Sequence, residues 1–478
     1  MIFFNKLFTP ANDHNLTSVL FLKLLALIYF AAFLSMAVQV SGLVGPTGIL
    51  PFQLVLDNFH QHQGNSAWWK MPTLFWFSAT NLALHTVTVL GCVFAVLLFL
   101  GRWQRLSLIA LFVLYLSLYH AGQTFLNFQW DTLLLECGFL AIFLVGGPSH
   151  LLIFLFHFLL FRLRFMSGVS KVVSDDPSWS GFKALNYYFE TQPLPHVGSW
   201  YFHQLPEWIL RTGTGFAFFT ELIIPFFIFL PRRFRLIAAG VTVFMQLLII
   251  ATSNHNFINL LTIILCVFLL DDKVVKRILP NKSKQDTAIK PVKNGLVTLT
   301  AILIFSASIP LFYSMVSGKK VTPWLATTGM LIRSYGLGHI YHVFPTMQVE
   351  RHELVVEGSY DGVNWKAYAF RYKPGDHAAR PEFIIPHQPR LDWMIWFVPP
   401  KFNSQMHWFN LFMSRLAEGS PEVLALLEKN PFEGRPPSYL RVLVYKYNFT
   451  NWKERKETGN WWKRSYLGEF PNVAPRRP

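Results

Sequence analysis

Lys171, in the stretch "RFMSGVSKVVSDDPSW" (164 to 179), is the side chain of this sequence with the plainest capacity for acid–base chemistry. His157, Arg164 and Lys171 recur every seven residues, so a helix that continues through Ser167 and Gly168 puts them on one face. Lys171 can serve as a base only if its amine is unprotonated near neutral pH. The cationic neighbour Arg164 favours that state, and Asp175 and Asp176 oppose it if the chain folds them back. A second reading of the stripe is a ladder of ion pairs to Glu136, Glu190 or Asp175. Cavity and ladder are both open at this point.

Another polar set lies in "NFQWDTLLLECGFLAIF" (127 to 143). Gln129, Thr132 and Glu136 fall on one helical face at i, i+3 and i+7, whereas Asp131 points elsewhere. An ionisable group inside a membrane span is costly unless paired or hydrated. These residues, with Glu221, Gln246 and the cluster "SNHNFIN" (253 to 259), are therefore candidates for a polar seam. The plainer reading gives Trp130 and Asp131 to the membrane interface, Glu136 to a partner helix and His255 to a packed hydrogen bond, and it carries more weight. No metal site is indicated, because the 16 histidines are scattered and the tightest pair, His60 and His62, is a weak signal. The sequence has neither a Gly-x-Ser-x-Gly elbow nor a phosphate-binding Gly-Lys loop.

The elements that position these groups are membrane helices. The 478 residues are 52% hydrophobic and only 14% charged, with 47 phenylalanines, more than a soluble core needs. Runs long enough to span, or nearly so, occur at about 19 to 40, 82 to 100, 104 to 121, 130 to 146, 150 to 167, 214 to 231, 236 to 252, 255 to 271 and 296 to 316, which predicts nine spans. The start "MIFFNKLFTPANDHN" has no cleavage-site pattern, so the first span is expected to be retained. The net charge of +16 fits cytoplasmic loops and anionic headgroups, and no basic stripe with interleaved aromatics points to nucleic acid. Arg102, Arg105, "PRRFR" and the seven basic residues of the loop 271 to 293 then belong to the cytoplasm, with the N-terminus.

An odd number of spans carries everything after about residue 318 to the outer side. That part reads differently: "ELVVEGSYDGVNWKAYAFRYK" (353 to 373) as two alternating strands around an Asp-Gly turn, and "YLRVLVYKYNFT" (439 to 450) as another strand. "SPEVLALLEKNP" reads as a helix with Ser420 at the N-cap and Pro421 at its first position. The expected architecture is a polytopic helical membrane domain (1 to 317) followed by a soluble, extracytoplasmic α+β domain (318 to 478). All three cysteines, Cys92, Cys137 and Cys266, lie in apolar runs. A cysteine-free outer domain favours a bacterial inner membrane over the endoplasmic reticulum.

The blocks "FQWDTLLLECGFLAIF", "FMSGVSKVVSDDPSW", "ALNYYFETQPLPHVGSWYFHQLPEW", "HELVVEGSYDGVNWKAYAFRYKPGD", "RPEFIIPHQPRLDWMIWF" and "NPFEGRPPSYLRVLVYKYNFT" together resemble the lipase maturation factor family. The resemblance implies a polytopic protein whose C-terminal domain helps lipases fold and assemble. Carried onto this chain, His387, Gln388, Arg390, Asp392 and Trp393 belong to that domain's signature and become candidates for client binding. A structural role, with Arg390 and Asp392 pairing within the fold, is the favoured reading of those two. A shorter likeness joins "SGVSK" and its acidic sequel to vitamin K dependent gamma-carboxylases. It implies a shared helical scaffold and a quinone pocket with Lys171 as base.

Two functions follow. The first is a membrane-held maturation factor whose outer domain engages a secreted or envelope client, a lipase by the family's label. The second is a membrane enzyme with a quinone or other bound lipid, in which Lys171 is the base and Glu136, Arg164 and His157 line the cavity. The absence of hydrolase motifs favours a helper of lipases over a lipase.

Overall fold

The computed structural model describes residues 7–277 and 291–471. Residues 1–6 and 472–478 lie outside the described residues. So does the middle of the basic loop, with Lys282, Lys284 and Lys290.

The helical part comprises α1 (Asn15–Ala37), α2 (Asn81–Phe99), α3 (Gln104–Ala121), α4 (Gln129–Ile142), α5 (His150–Val173), α6 (Glu207–Phe218), α7 (Arg232–Thr252), α8 (Ile258–Leu265) and α9 (Pro291–Ser317). Among the described residues seven helices are long and apolar enough to cross a membrane. They are α1, α2, α3, α5, α7, α9, and α6 with its continuation to Phe229. The expected count of nine included α4 and α8, and both are too short. The 14 residues of α4 rise only about 21 Å against a hydrocarbon core of about 30 Å. These short helices are enclosed by the others, with Trp130 to Gly138 of α4 buried throughout, and helix ends at membrane depth are tolerated where protein surrounds them.

Aromatic rings fill the bundle. Phe21 of α1 meets Phe156 of α5 edge-on at 5.0 Å, and Phe156 stacks on Phe268 at 4.2 Å. Small residues set how closely the helices approach. At Gly138 of α4 an added Cβ would lie 1.8 Å from Tyr29 Oη of α1, whose hydroxyl donates to Leu134 O.

One end of the bundle is basic. Arg105 at the start of α3 donates to Val145 O after α4, Lys293 of α9 reaches Gly147 O, and Arg232 at the start of α7 pairs with Asp271 at 2.5 Å. Arg102, Arg233, Arg235, Lys273, Lys276 and Arg277 lie beside these positions in sequence.

The C-terminal part contacts the opposite end. It begins with α10 (Pro323–Ser334) and builds a four-stranded antiparallel sheet from β1 (Arg351–Ser359), β2 (Lys366–Ala367), β3 (Tyr439–Phe449) and β4 (Trp462–Glu469), ordered β2-β1-β3-β4. Helices α11 (Arg390–Ile395) and α12 (Phe402–Glu418) lie between β2 and β3 in the chain. The Asp-Gly turn forms as expected: Gly362 takes φ 76°, and Asp361 Oδ1 accepts the Val363 and Asn364 N–H groups, each at 2.8 Å. The strand after it is only two residues long. The helix expected at 420 to 431 spans only Pro421–Leu424, and the Ser420 hydroxyl donates to Thr47 O instead of capping it.

Gly138→Ala should lower the unfolding midpoint of the detergent-solubilised protein, by the about 1–3 kcal/mol typical of an overpacked interior. Adding Tyr29→Phe should recover part of that loss, because it removes the hydroxyl nearest the new methyl. If the double variant is no more stable than Gly138→Ala alone, α1–α4 contact at this glycine does not set the spacing.

Candidate functional site

Buried charges define two kinds of site, one fastening the C-terminal part to the bundle and one lining a cavity. At the first, Asp131 is fully buried in the opening turn of α4. Its oxygens accept Nη1 and Nη2 of Arg390, each at 2.7 Å, and the Tyr115 hydroxyl at 2.6 Å. Arg390 also donates through Nη1 to Phe125 O at 3.0 Å. The two-toothed geometry is the strongest form of this contact. Around it, Gln39, two residues past α1, accepts the Arg390 N–H and donates to Gln388 O at 2.8 Å, and Ser35 Oγ of α1 accepts the Gln388 N–H. Trp393 stands edge-on to Trp130 at 5.1 Å.

His387 contacts Ser35 Oγ through Nδ1 at 2.9 Å. Burial, with Arg390 and Arg371 nearby, lowers the imidazole from 6.5 to about 4. Asp392 is buried away from Arg390 and accepts the Tyr372 and Lys373 N–H groups at 2.8 and 3.0 Å; burial pushes this carboxyl up, against those two bonds. The expected Arg390–Asp392 pair therefore does not form. Gln388, Arg390, Asp392 and Trp393 are all buried, Asp392 within the C-terminal part, and present no side-chain surface to a client in this arrangement.

Further contacts join the same parts. Glu136 pairs with Arg162 of α5 and accepts the Gly338 N–H at 3.0 Å, and Gln129 accepts the His342 N–H at 2.9 Å. The face that carries Gln129 and Glu136 thus holds the segment between α10 and β1. Arg351, fully buried at the start of β1, donates to the Glu190 and Pro193 carbonyls at 3.1 and 3.0 Å and pairs with Glu353 at 2.5 Å. The Glu190 carboxylate accepts the Phe449 N–H and the Asn448 side chain of β3.

The second site is a cavity of about 260 Å³ between α5, α6 and α7. Lys171 Nζ lies 2.7 Å from Glu221 Oε2 and 5.0 Å from the centre of the Trp179 ring, and it donates to Ser167 O at 3.3 Å. Arg164 Nη1 is 3.7 Å from Glu221 Oε1, and Nη2 donates to Thr220 Oγ1 at 3.3 Å. Glu221 is presented by a widened turn, Phe219–Ile223. Pro225 explains the widening, since it lacks an N–H and its ring crowds the carbonyl four residues back, which is that of Glu221. Gly168 lets α5 meet this turn, for a Cβ there would lie 2.9 Å from Glu221 Cβ.

Of the seven-residue stripe, Arg164 and Lys171 share the cavity, while His157 donates through Nε2 to Phe268 O at 2.8 Å. None of the three pairs with Glu136, Glu190 or Asp175. Asp175 is exposed at a left-handed position (φ 54°), and Asp176 caps the short helix Pro177–Ser180 and accepts the Met347 N–H. An amine held by a carboxylate is not a free base, so the arrangement lends no support to catalysis by Lys171. Arg162 escaped the sequence reading. It sits two residues from Arg164, about 200° around the helix, and this opposite placement was the available signal.

Replacing Arg390 by Met strands the Asp131 carboxylate, and breaking a buried pair in this way costs about 3–5 kcal/mol. The double variant Asp131→Leu with Arg390→Met should be less destabilised than either single change, measured by thermal unfolding in detergent. Equal loss in singles and double would remove the coupling. A separate effect concerns pH: His387 is neutral in the folded chain, so its contribution is complete above pH 6.5 and is lost as pH falls toward about 4. His387→Gln should flatten the decline of the unfolding midpoint across that interval; an unchanged slope would refute the assignment.

The family profile of the lipase maturation factor transmembrane domain matches residues 16–277, and that of the lipase maturation factor C-terminal domain matches residues 337–472. Lipase maturation factor 2 of Xenopus laevis is 33% identical over 96% of this chain and 82% of its own length. The Homo sapiens lipase maturation factor 2 is 32% identical over 95% and 82%, and Mus musculus lipase maturation factor 1 is 31% identical over 97% and 88%. No solved structure matches. These relatives are vertebrate proteins and give no support to the expected bacterial inner membrane. The chain is an integral membrane protein that belongs to the lipase maturation factor family.

Proposed function

We propose that this protein is a membrane-embedded maturation factor that assists the folding and assembly of a secreted lipase, with the C-terminal part, 318 to 478, as the portion that engages the client. The observation that carries this reading is the presence of both family domains in one chain, fastened to each other by the buried Asp131–Arg390 pair. Fastening suits a holding function, since a client bound to the sheet is kept at a fixed height over the membrane. The edge strand β4 offers surface for contact, with Lys463 to Tyr466 exposed. The buried residues 388, 390, 392 and 393 would then shape the client-binding part without touching the client.

The basic end of the bundle supports an N-terminus in the cytoplasm and a C-terminal part on the outer side, because the C-terminal part meets the end away from those cations. Membrane lipids surround the helices in this reading.

Full-length protein co-expressed with a secreted lipase, in cells lacking their own lipase maturation factors, should raise secreted lipase activity severalfold. A photo-crosslinker placed at Lys463 or Ser465 should capture the lipase. Unchanged lipase activity together with no crosslinked lipase would end the proposal.

A further inference from the structure

The cavity beside Lys171 has an unbalanced polar end. Its lining contains Arg164 and Lys171 but a single carboxylate, Glu221, which leaves one positive charge in excess. Donors are in excess as well. Arg164 Nε, Gln246 Nε2 and Asn259 Nδ2 are buried without a hydrogen-bond partner among the described residues, and all three residues line the cavity. Gln246 and Asn259 are 3% and 2% exposed, so water outside the protein does not serve them. Buried donors of this kind are seldom left unmade, and a buried surplus charge calls for an opposite one.

The remainder of the wall is apolar, built from such residues as Leu163, Leu210, Phe216 and Ile249. The wall is half-exposed at Ile209 and Phe216 on α6 and at Leu248 and Ile249 on α7. Nearby on these helices Trp208, Phe244 and Leu247 face outward, 69%, 55% and 53% exposed, as lipid-facing residues do. The opening is therefore lateral, toward the acyl region. At about 260 Å³ the space falls just under the roughly 300 Å³ at which drug-sized pockets begin, room for one chain and not for a whole two-chain lipid.

We propose that this cavity binds a long-chain fatty acid, entering sideways from the bilayer, with its carboxylate held by Arg164, Lys171, Gln246 and Asn259 and its chain along the apolar wall. The carboxylate supplies the single negative charge and the acceptors that the lining lacks, and Glu221 keeps the two cations in place. His255, which contacts the Tyr188 hydroxyl at 2.7 Å, also lines the cavity. A neutral ester or quinone would supply acceptors and leave the charge unbalanced. This site goes beyond client handling and does not depend on it.

Removing Lys171 strips Glu221 of its nearest partner and endangers the fold, so the decisive variants are Gln246→Leu and Asn259→Leu, whose amide nitrogens bond nothing among the described residues. Full-length protein in nanodiscs, titrated with radiolabelled palmitate, should bind it saturably. Methyl palmitate and palmityl alcohol should compete about tenfold less well, and each Leu variant should bind about tenfold more weakly while its unfolding midpoint without palmitate stays level or rises. Equal competition by methyl palmitate, palmitate affinity unchanged in both variants, or displacement of palmitate by phosphatidylcholine at equal concentration would each overturn the proposal.

Discussion

The contact between Asp131 and Arg390 is the one on which the arrangement of this protein depends. A carboxylate at the head of a buried helix carries a large desolvation cost, and a partner drawn from 259 residues further along the chain offsets it. The offset works because both carboxylate oxygens are met, Nη1 and Nη2 of the guanidinium being engaged, Tyr115 bonded to Oδ1 and the Phe125 carbonyl accepting a further Nη1 bond. Detaching the C-terminal part would leave Asp131 unmatched inside α4. Glu136, with Gly338 and Arg162, repeats the logic about one and a half turns along, and Arg351 repeats it at the loop from Glu190 to Pro193. Membrane helices and sheet are consequently one mechanical unit.

The sequence carried half of this information. Helical periodicity separated Asp131 from the Gln129–Glu136 face, and the structure uses both: Asp131 turns to Arg390, while Gln129 and Glu136 hold the segment at 338 to 342. Periodicity has no access to partners across long separations. It could not match Glu136 to Arg162 in place of Arg164, or take Arg390 from its neighbour Asp392. The same limit applied to span counting. Hydropathy measures apolar length, and α4 and α8 are apolar because protein encloses them, with too few residues to cross the hydrocarbon.

Local patterns fared according to how local their causes were. The Asp361–Gly362 turn depends on four consecutive residues and was legible. β4 was not, because its residues 463 to 466 are exposed and show no buried alternation; pairing with β3 creates the strand. The helix after Ser420 has sound capping chemistry in sequence, yet the hydroxyl is drawn to Thr47 of the preceding bundle loop, and the helix ends after one turn.

Charge balance separates the fastening sites from the cavity. At Asp131–Arg390 and Glu136–Arg162 each carboxylate meets one guanidinium, so each pair is neutral. At Lys171 one carboxylate meets two cations, and the turn that delivers it is distorted by Pro225. If packing alone shaped this region, a neutral pair with a regular helix would cost less, and Gln246 and Asn259 would be apolar. The widened turn, the surplus charge and the unbonded amides of Gln246 and Asn259 around one open space are the features on which the proposed fatty-acid site rests. The stripe of Arg164 and Lys171 is thus the polar wall of the cavity, and Glu221 is the residue that allows two cations to coexist there.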